Sequence, residues 1–308
     1  MHVKVYCPDI ECDSCARLLK RSFEKAEGIV KFEINKESID FEYNRGESSV
    51  EMILKIIRSK GFRASLEPFI RKNFKERLRD FRENKSKYEL EYRMLNYLLF
   101  NLFCLLVFNA AVYLIFLKNV PDFLQRYGWW AFYTMISIAS IGTAMWHFRS
   151  YKGEVTSMTG MMIGMTFGMQ TGLMIGTIIG ATNGIFIGSM AGMLSAVIVG
   201  IYNGKCCGIM GILEGVMAGL MGGTMGGMIG VMMFADHILW FMPFFFLINI
   251  AVMLGLSYML FEEFVEDNEK TKKDEVKLWK LIAASIIVMA VFLVIMVYAP
   301  KSGLARVI

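Results

Sequence analysis

Seven long apolar stretches are the feature that most limits how this chain can fold. Each is close to the length of about 20 residues that a helix needs to cross the hydrocarbon core of a membrane. They lie near 94–117, 128–147, 155–180, 184–202, 207–234, 238–261 and 278–299. The chain is 55% hydrophobic, and we therefore predict an all-α transmembrane domain of about seven helices over residues 94–308.

Charged residues divide the chain in the same way. Residues 1–93 contain 21 of the 33 Lys and Arg, whereas residues 155–234 contain only Lys205. Cationic residues beside membrane spans stay on the cytoplasmic side and attract anionic lipid. We therefore predict a multi-pass protein of the cell membrane with its N-terminus in the cytoplasm and its C-terminus outside. The positive charge is explained by the membrane, so nucleic acid is not an expected partner.

Residues 1–67 show the alternation of a small soluble domain. Short strands are predicted near 3–6, 29–34, 38–43 and 62–66, and helices near 14–26 and 49–60. The order βαββαβ predicts an α+β ferredoxin-like domain, in which two helices cover one face of a four-stranded sheet.

A Cys-x-x-Cys motif, Cys12-Asp13-Ser14-Cys15, lies between the first strand and the first helix. Cytosolic thiols stay reduced, which favours metal ligation over a structural disulfide. The motif in this setting resembles the heavy-metal-associated domain of copper chaperones and P-type ATPase tails. The resemblance implies that Cys12 and Cys15 bind Cu(I) or a similar thiophilic ion. That family usually has Met where this chain has Ile10, and Cys7 lies nearby, so Ag, Hg and Zn stay open as alternatives.

Residues 68–93 connect the soluble domain to the first span. They contain nine Lys and Arg against five acids, with apolar residues at Ile70, Phe74, Leu78 and Phe81. The pattern predicts a basic amphipathic helix that lies on the cytoplasmic leaflet. The alternative is a linker helix that packs on the soluble domain.

Glycine recurs at every fourth residue in the core segment 155–234. One run extends from Gly160 to Gly192, and a second from Gly211 to Gly227. Glycine at this spacing lets helix backbones approach each other closely in lipid. A single helix cannot present the whole first run on one face, so we predict two helices joined at residues 181–184.

Methionine is concentrated in the same segment, where residues 158–233 contain 15 of the 25 methionines. Helical projection places one stripe on the fifth span, opposite the glycines, together with Cys207. This stripe consists of Met210, Glu214, Met217, Met221, Met225, Met228 and Met232. A similar stripe on the third span consists of Met158, Met161, Met162, Met165 and Met169.

Two interpretations of these stripes are open. Thioether ligands select Cu(I) or Ag(I), so a row of methionines can serve as a metal path. Methionine also fills grooves beside glycine, which would make the stripes ordinary packing. Glu214 favours a path, because an ionisable residue inside a span by default marks an ion path or a proton relay.

Two partial resemblances concern the membrane domain. Met-x-x-x-Met beside Gly-x-x-x-Gly is similar to the pore helices of the Ctr copper transporters. The resemblance implies only that methionines could form rings along a metal path. Cys206 and Cys207 are similar to the vicinal cysteines of mercury-uptake membrane proteins, which implies exchange of metal with Cys12 and Cys15.

The predicted membrane domain contains several other polar or thiol residues. Asp236 and His237, after the fifth span, are candidates for an outer entry site or for a helix cap. Four residues within the spans are expected to pack or to form hydrogen bonds, namely Cys104, His147, Gln170 and Asn249.

The chain contains neither a phosphate-binding Gly-x-x-x-x-Gly-Lys-[Ser/Thr] loop nor the Asp-Lys-Thr-Gly-Thr motif of P-type ATPases. We therefore predict that the chain is not an enzyme. It is expected to move a soft metal ion, with Cu(I) as the leading candidate, inward across the membrane, either passively or coupled to protons. The alternatives are a membrane-tethered metal sensor or chaperone and a thiol-disulfide oxidoreductase. Expected partners are the metal ion, membrane lipid, a cytosolic metallochaperone and a second copy of the chain.

Overall fold

The chain forms two compact units, Met1–Asn84 and Lys85–Ile308, in a computed structural model. The structure describes residues 2–8, 10, 13–24, 26, 28–35, 38–44, 49–59, 62, 64–68, 79, 89–118, 123–152, 157–261, 272–273 and 278–302. Most of the predicted amphipathic connector, residues 69–78 and 80–88, lies outside the described residues.

The first unit contains a three-stranded antiparallel sheet in the order β1-β3-β2 and two helices. Its elements are β1 (His2–Tyr6), α1 (Asp13–Phe23), β2 (Ile29–Ile34), β3 (Ser38–Tyr43) and α2 (Val50–Ser59). Leu19 and Phe23 of α1 and Ile53 of α2 are buried in one hydrophobic core with Val5 and Phe41 of the strands. The helices therefore bury their apolar stripes in a single core.

Among its described residues, the fourth predicted strand, near 62–66, forms one bridge. Tyr6 and Ser65 exchange two backbone hydrogen bonds, of 2.8 and 3.0 Å, on the edge of β1 that β3 leaves open. Three of the four predicted strands are therefore formed, and the ferredoxin-like plan stays a prediction.

The second unit is a bundle of long helices. They are α3 (Glu89–Val112), α4 (Phe123–Ser150), α5 (Ser157–Asn183), α6 (Ile185–Gly204), α7 (Gly208–Met232), α8 (Ile238–Phe261) and α9 (Leu278–Tyr298). A π-helical turn, Tyr113–Leu117, continues α3. In the part of the chain that the structure describes, six helices are long and apolar enough to cross a membrane, namely α3 and α5–α9. This fits a multi-pass membrane protein.

Helix α4 has 28 residues but does not reach the apolarity of the other six. Most of its residues are buried, and its hydroxyl groups donate to carbonyls one turn back, as from Thr134 to Trp130 O at 2.8 Å. The polar residues that lower its hydropathy are thus satisfied within the helix. Contacts at both ends show that α4 runs antiparallel to α3: Tyr151, just after α4, bonds Glu91, and Phe123 contacts Tyr113.

Helices α5, α6 and α7 form a three-helix glycine core. Helix α5 ends at Asn183 and α6 begins at Ile185, which confirms the predicted division of the first glycine run. The residue between them, Gly184, has φ +104°, a conformation that strains other residues. A Cβ on Gly168 would lie 2.5 Å from the carbonyl oxygen of Gly215, so the backbones are in direct contact.

Contacts between loops define two ends of the bundle. At the end where α3 begins, here called the inner end, β4 (Tyr151–Lys152) pairs with β5 (Lys272–Lys273). At the opposite, outer end, the Asn183 amide donates to the carbonyls of Ile295 and Ala299, both at 3.2 Å. Both inner-end strands lie in connections between helices and contain lysine.

Candidate functional site

The methionines predicted on the fifth span lie on the outside of the glycine core. All six methionines of this stripe are exposed on α7, at 47 to 66% of their surface. They are Met210, Met217, Met221, Met225, Met228 and Met232. The stripe therefore forms a continuous outer face along most of the helix.

Helix α5 presents the second stripe in a similar way. Met158, Met162 and Met165 are exposed, and Met161 and Met169 are half-buried. This row occupies the inner half of α5. We call the two rows together the methionine face.

The buried side of α7 consists of small residues. Gly211, Gly215, Gly219, Gly223 and Gly227 are buried there, and substituting any of them with alanine would bring the new Cβ within about 3 Å of a neighbouring helix. The prediction that glycine and methionine occupy opposite sides of this helix is confirmed. The methionine face of a single chain is consequently a surface and not the lining of an internal channel.

The exposed methionines of the second unit are concentrated in the glycine core. Among the described residues of the second unit, every exposed methionine belongs to α5, α6 or α7. Helices α3, α8 and α9 expose Leu, Ile, Val, Phe, Trp and Tyr, while Met94, Met242, Met253, Met289 and Met296 of these helices are buried. Methionine thus faces outward only where the backbones inside are in contact.

Glu214 is half-buried at the border between the methionine face and the glycine side of α7. It follows the first residue of α7 by six positions, a rise of about 9 Å along the helix. Met210 and Met217 lie four residues before it and three after it, positions that adjoin it on a helix surface. The carboxyl group therefore has exposed thioethers as its neighbours along the helix.

Cys206 and Cys207 form the turn between α6 and α7. This turn is a short 3-10 helix, Lys205–Cys207, at the inner end of the bundle. Cys206 is exposed. The side chain of Cys207 lies outside the described residues.

The Cys-x-x-Cys motif is at the start of α1, which begins at Asp13. The backbone of Cys15 is in the first turn, whereas Cys12 and the side chain of Cys15 lie outside the described residues. Ile10 is buried. Cys7 is fully buried in the core of the first unit.

Asp236 and His237 are both exposed between α7 and α8. His237 has φ +41°, in the left-handed region, and its carbonyl accepts the backbone N–H groups of Trp240 and Phe241 at 3.0 and 3.2 Å. The backbone of His237 therefore starts α8.

A cluster of three polar side chains was not predicted as a site. Glu91 at the start of α3, His147 near the end of α4 and Tyr151 of β4 lie together at the inner end. Their separation of 56 and 60 residues along the chain leaves no sequence pattern that joins them. Asn249, in contrast, donates to the Phe245 carbonyl of its own helix at 2.7 Å, as predicted.

Comparison with protein-family models, with curated proteins and with solved structures gave no match for the chain. Within the described residues, no group of three or more His, Cys, Asp or Glu side chains is arranged to hold a metal ion. The side chains of Cys12, Cys15 and Cys207 are outside that description.

Proposed function

We propose that this chain moves a thiophilic metal ion, Cu(I) first of all, across a membrane along the methionine face of α5 and α7. The observation that carries the proposal is that every exposed methionine among the described residues of the second unit lies in the glycine core. Lipid does not require methionine, since exposed leucine, valine and phenylalanine serve on α3, α8 and α9. A row of thioethers supplies successive weak soft ligands between which an ion can move.

Glu214 supplies the charge that the thioethers lack. A carboxylate inside a span is costly in lipid and by default marks an ion path. Its position beside Met210 and Met217 gives a cation both soft ligands and a negative charge. Because this face is the outside of a single chain, we propose that a second copy covers it and that the ion moves between the two copies.

The first unit is proposed to be a heavy-metal-associated domain that accepts the ion at Cys12 and Cys15. Two observations support a ferredoxin-like plan: the strand order β1-β3-β2, and the Tyr6–Ser65 bridge on the open edge of β1. Thiolates bind soft ions more tightly than thioethers do, so transfer toward the cysteines is favourable. Cys206 and Cys207 are proposed to pass the ion from the path to that domain, and Asp236 and His237 to receive it outside.

We further propose seven crossings with the N-terminus in the cytoplasm. The antiparallel contacts at both ends of α3 and α4 support α4 as the seventh, because α4 extends over the length of a helix that is apolar enough to cross. The inner end then carries Arg149, Lys152 and Lys205, in accordance with the preference of cationic residues for the cytoplasm.

The test is metal flux in liposomes that contain the full-length protein, with Ag(I) as a probe that needs no reductant. Flux should fall to the level of empty liposomes when Glu214→Gln, Met217→Leu and Met221→Leu are combined. Met190→Leu is the matched control, because Met190 is equally an exposed methionine of the glycine core but lies on α6, outside the path. Unchanged flux in the triple variant would exclude the path.

One result would favour the membrane-tethered sensor or chaperone instead. In that case the full-length protein would bind Ag(I) through Cys12 and Cys15, and liposomes would show no flux with any variant.

A further inference from the structure

The polar cluster at the inner end of the membrane unit has a defined geometry. The Tyr151 hydroxyl donates to Glu91 Oε1 at 2.5 Å. His147 Nε2 lies 3.5 Å from the same oxygen, and the His147 and Tyr151 rings meet edge to face with centroids 5.2 Å apart. One carboxylate oxygen therefore has both a phenol and an imidazole as neighbours.

The cluster is buried, and its hydrogen-bonding capacity is not used up. The side chain of His147 is fully buried, and neither ring nitrogen has a hydrogen-bond partner among the described residues. Glu91 Oε2 is buried and likewise has none there. Buried polar atoms of this kind are costly unless they take up a partner. The Glu91 side chain is 17% exposed, which gives the cluster access to water.

The other charged groups nearby are engaged elsewhere. On α3, Arg93 pairs with Glu89 at 2.8 Å. On α4, the Arg149 guanidinium stacks over the ring of Tyr202 in α6, 3.5 Å from its centroid. No other ion pair with Glu91 or His147 occurs among the described residues, so the imidazole is the cation available to the carboxylate.

Tyr151 acts as a fixed donor. Burial raises the pKa of the Tyr151 phenol above its ordinary value, and the adjacent Glu91 carboxylate raises it further. The phenol therefore keeps its proton and holds Glu91 Oε1 in place beside the histidine.

The residues that flank His147 contact three other helices. The Trp146 ring meets the Tyr97 ring of α3 edge to face, with centroids 4.7 Å apart. The centroids of the Phe148 ring and the Phe167 ring of α5 are 6.3 Å apart. Arg149 stacks on Tyr202 of α6. A change of charge at His147 thus acts at a point where α3, α5 and α6 all meet the end of α4.

We propose that Glu91, His147 and Tyr151 form a proton-binding site. A hydronium ion that reaches the cluster beside Glu91 transfers a proton to His147 Nε2 and leaves as water, so one O–H bond is exchanged for one N–H bond. No electron is transferred, and the Glu91 carboxylate stabilises the resulting imidazolium. The site is separate from the methionine face, since its residues belong to α3, α4 and β4 and not to α5 or α7.

The test is nuclear magnetic resonance of the full-length protein with ¹⁵N-labelled histidine. The chain has three histidines, so the ring signals of His147 are those lost in His147→Gln. The measurement runs from about pH 8 down to about pH 5, and the doubly protonated form should appear as the pH falls. In Glu91→Gln it should appear only at lower pH, because the carboxylate that stabilises the imidazolium is removed.

Glu89→Gln is the matched control, because Glu89 is also on the first turn of α3 but pairs with Arg93. It should leave the transition where it is in the unaltered protein. A His147 ring that keeps one form over the whole pH range would overturn the proposal, and that measurement needs no variant of Glu91. A transition that Glu91→Gln does not move would overturn it as well.

Discussion

The glycine core and the helices around it solve the problem of packing in lipid in opposite ways. In α5–α7 the backbones touch, as where Gly168 meets Gly215, and α6 and α7 point their large side chains outward. Large side chains of α5, such as Phe167, are buried. In α3, α4, α8 and α9 large side chains interlock instead, as where the rings of Tyr133 and Phe246 stack at 5.0 Å. Close backbone contact leaves the outer surface of α7 free of large buried side chains, and that surface is rich in methionine.

Exposure to lipid does not by itself explain why the methionine face carries methionine. Exposed positions on α8 carry Leu247 and Phe244, and those on α9 carry Val291 and Val294, with equal or greater exposure than many of the methionines. The outer surfaces of these helices are suited to hydrocarbon. The methionine face differs in chemistry, not in accessibility, and this supports a role as soft ligands.

The largest effect is expected from adding one methyl group inside the core. In Gly168→Ala the new Cβ would lie 2.5 Å from Gly215 O and 3.2 Å from Gly219 N. Both are backbone atoms, which cannot move away unless the surrounding helix moves with them. We expect a loss of about 3 kcal/mol or more in stability, at the upper end for overpacking. Thermal unfolding in detergent measures it.

Gly255→Ala is the matched control for this substitution. A Cβ on Gly255 of α8 would meet nothing within 4 Å. Its stability should be equal to that of the unaltered protein or slightly higher, since alanine favours the helix. Equal losses in the two variants would contradict the contrast between the core and the surrounding helices.

A smaller effect is expected where side chains join the surrounding helices. The Asn101 amide of α3 donates to the Ser285 hydroxyl of α9 at 3.1 Å, and Asn101 is fully buried. Asn101→Ala should cost about 1 kcal/mol, as for other hydrogen bonds between membrane helices. Asn109→Ala should cost less, because Asn109 bonds only Leu105 O of its own helix. The same unfolding measurement compares them, and an equal loss would show that the interhelical bond adds nothing.

The smallest effect on stability is expected on the methionine face. Met217→Leu, Met221→Leu and Met225→Leu together should change the unfolding free energy by less than about 1.5 kcal/mol for each residue, because the swap conserves volume and polarity. These positions are 47 to 59% exposed, so the measured change should be close to zero. Destabilisation comparable to that of Gly168→Ala would instead make the methionines part of the packing.

Much of the architecture of the membrane unit could be predicted from the sequence, because apolar length and glycine spacing are local properties. The six apolar helices begin and end within a few residues of the predicted spans, and the division at Gly184 follows from the drift of a four-residue repeat around a helix. Helix α4 was predicted as a span, but its hydropathy is lower than that of the six apolar helices. Its buried hydroxyl groups lower the hydropathy, although they donate to carbonyls of the same helix.

What could not be predicted depends on contacts between distant residues. A helical projection places Met217 opposite Gly219 but does not tell whether the methionine side meets another helix or the exterior. The cluster of Glu91, His147 and Tyr151 joins the start of one helix to the end of the next, and only the antiparallel packing of α3 and α4 brings them together.

The most direct test of soft-metal binding by the methionine face is X-ray absorption at the copper edge. The full-length protein would carry Cys12→Ser, Cys15→Ser, Cys206→Ser and Cys207→Ser, so that these four thiols cannot supply the signal. Loaded with Cu(I), it should retain copper with sulfur neighbours, and these should disappear when the methionines of the methionine face are also replaced by leucine. Copper bound only through nitrogen or oxygen, or a sulfur signal that survives the loss of these methionines, would contradict the account.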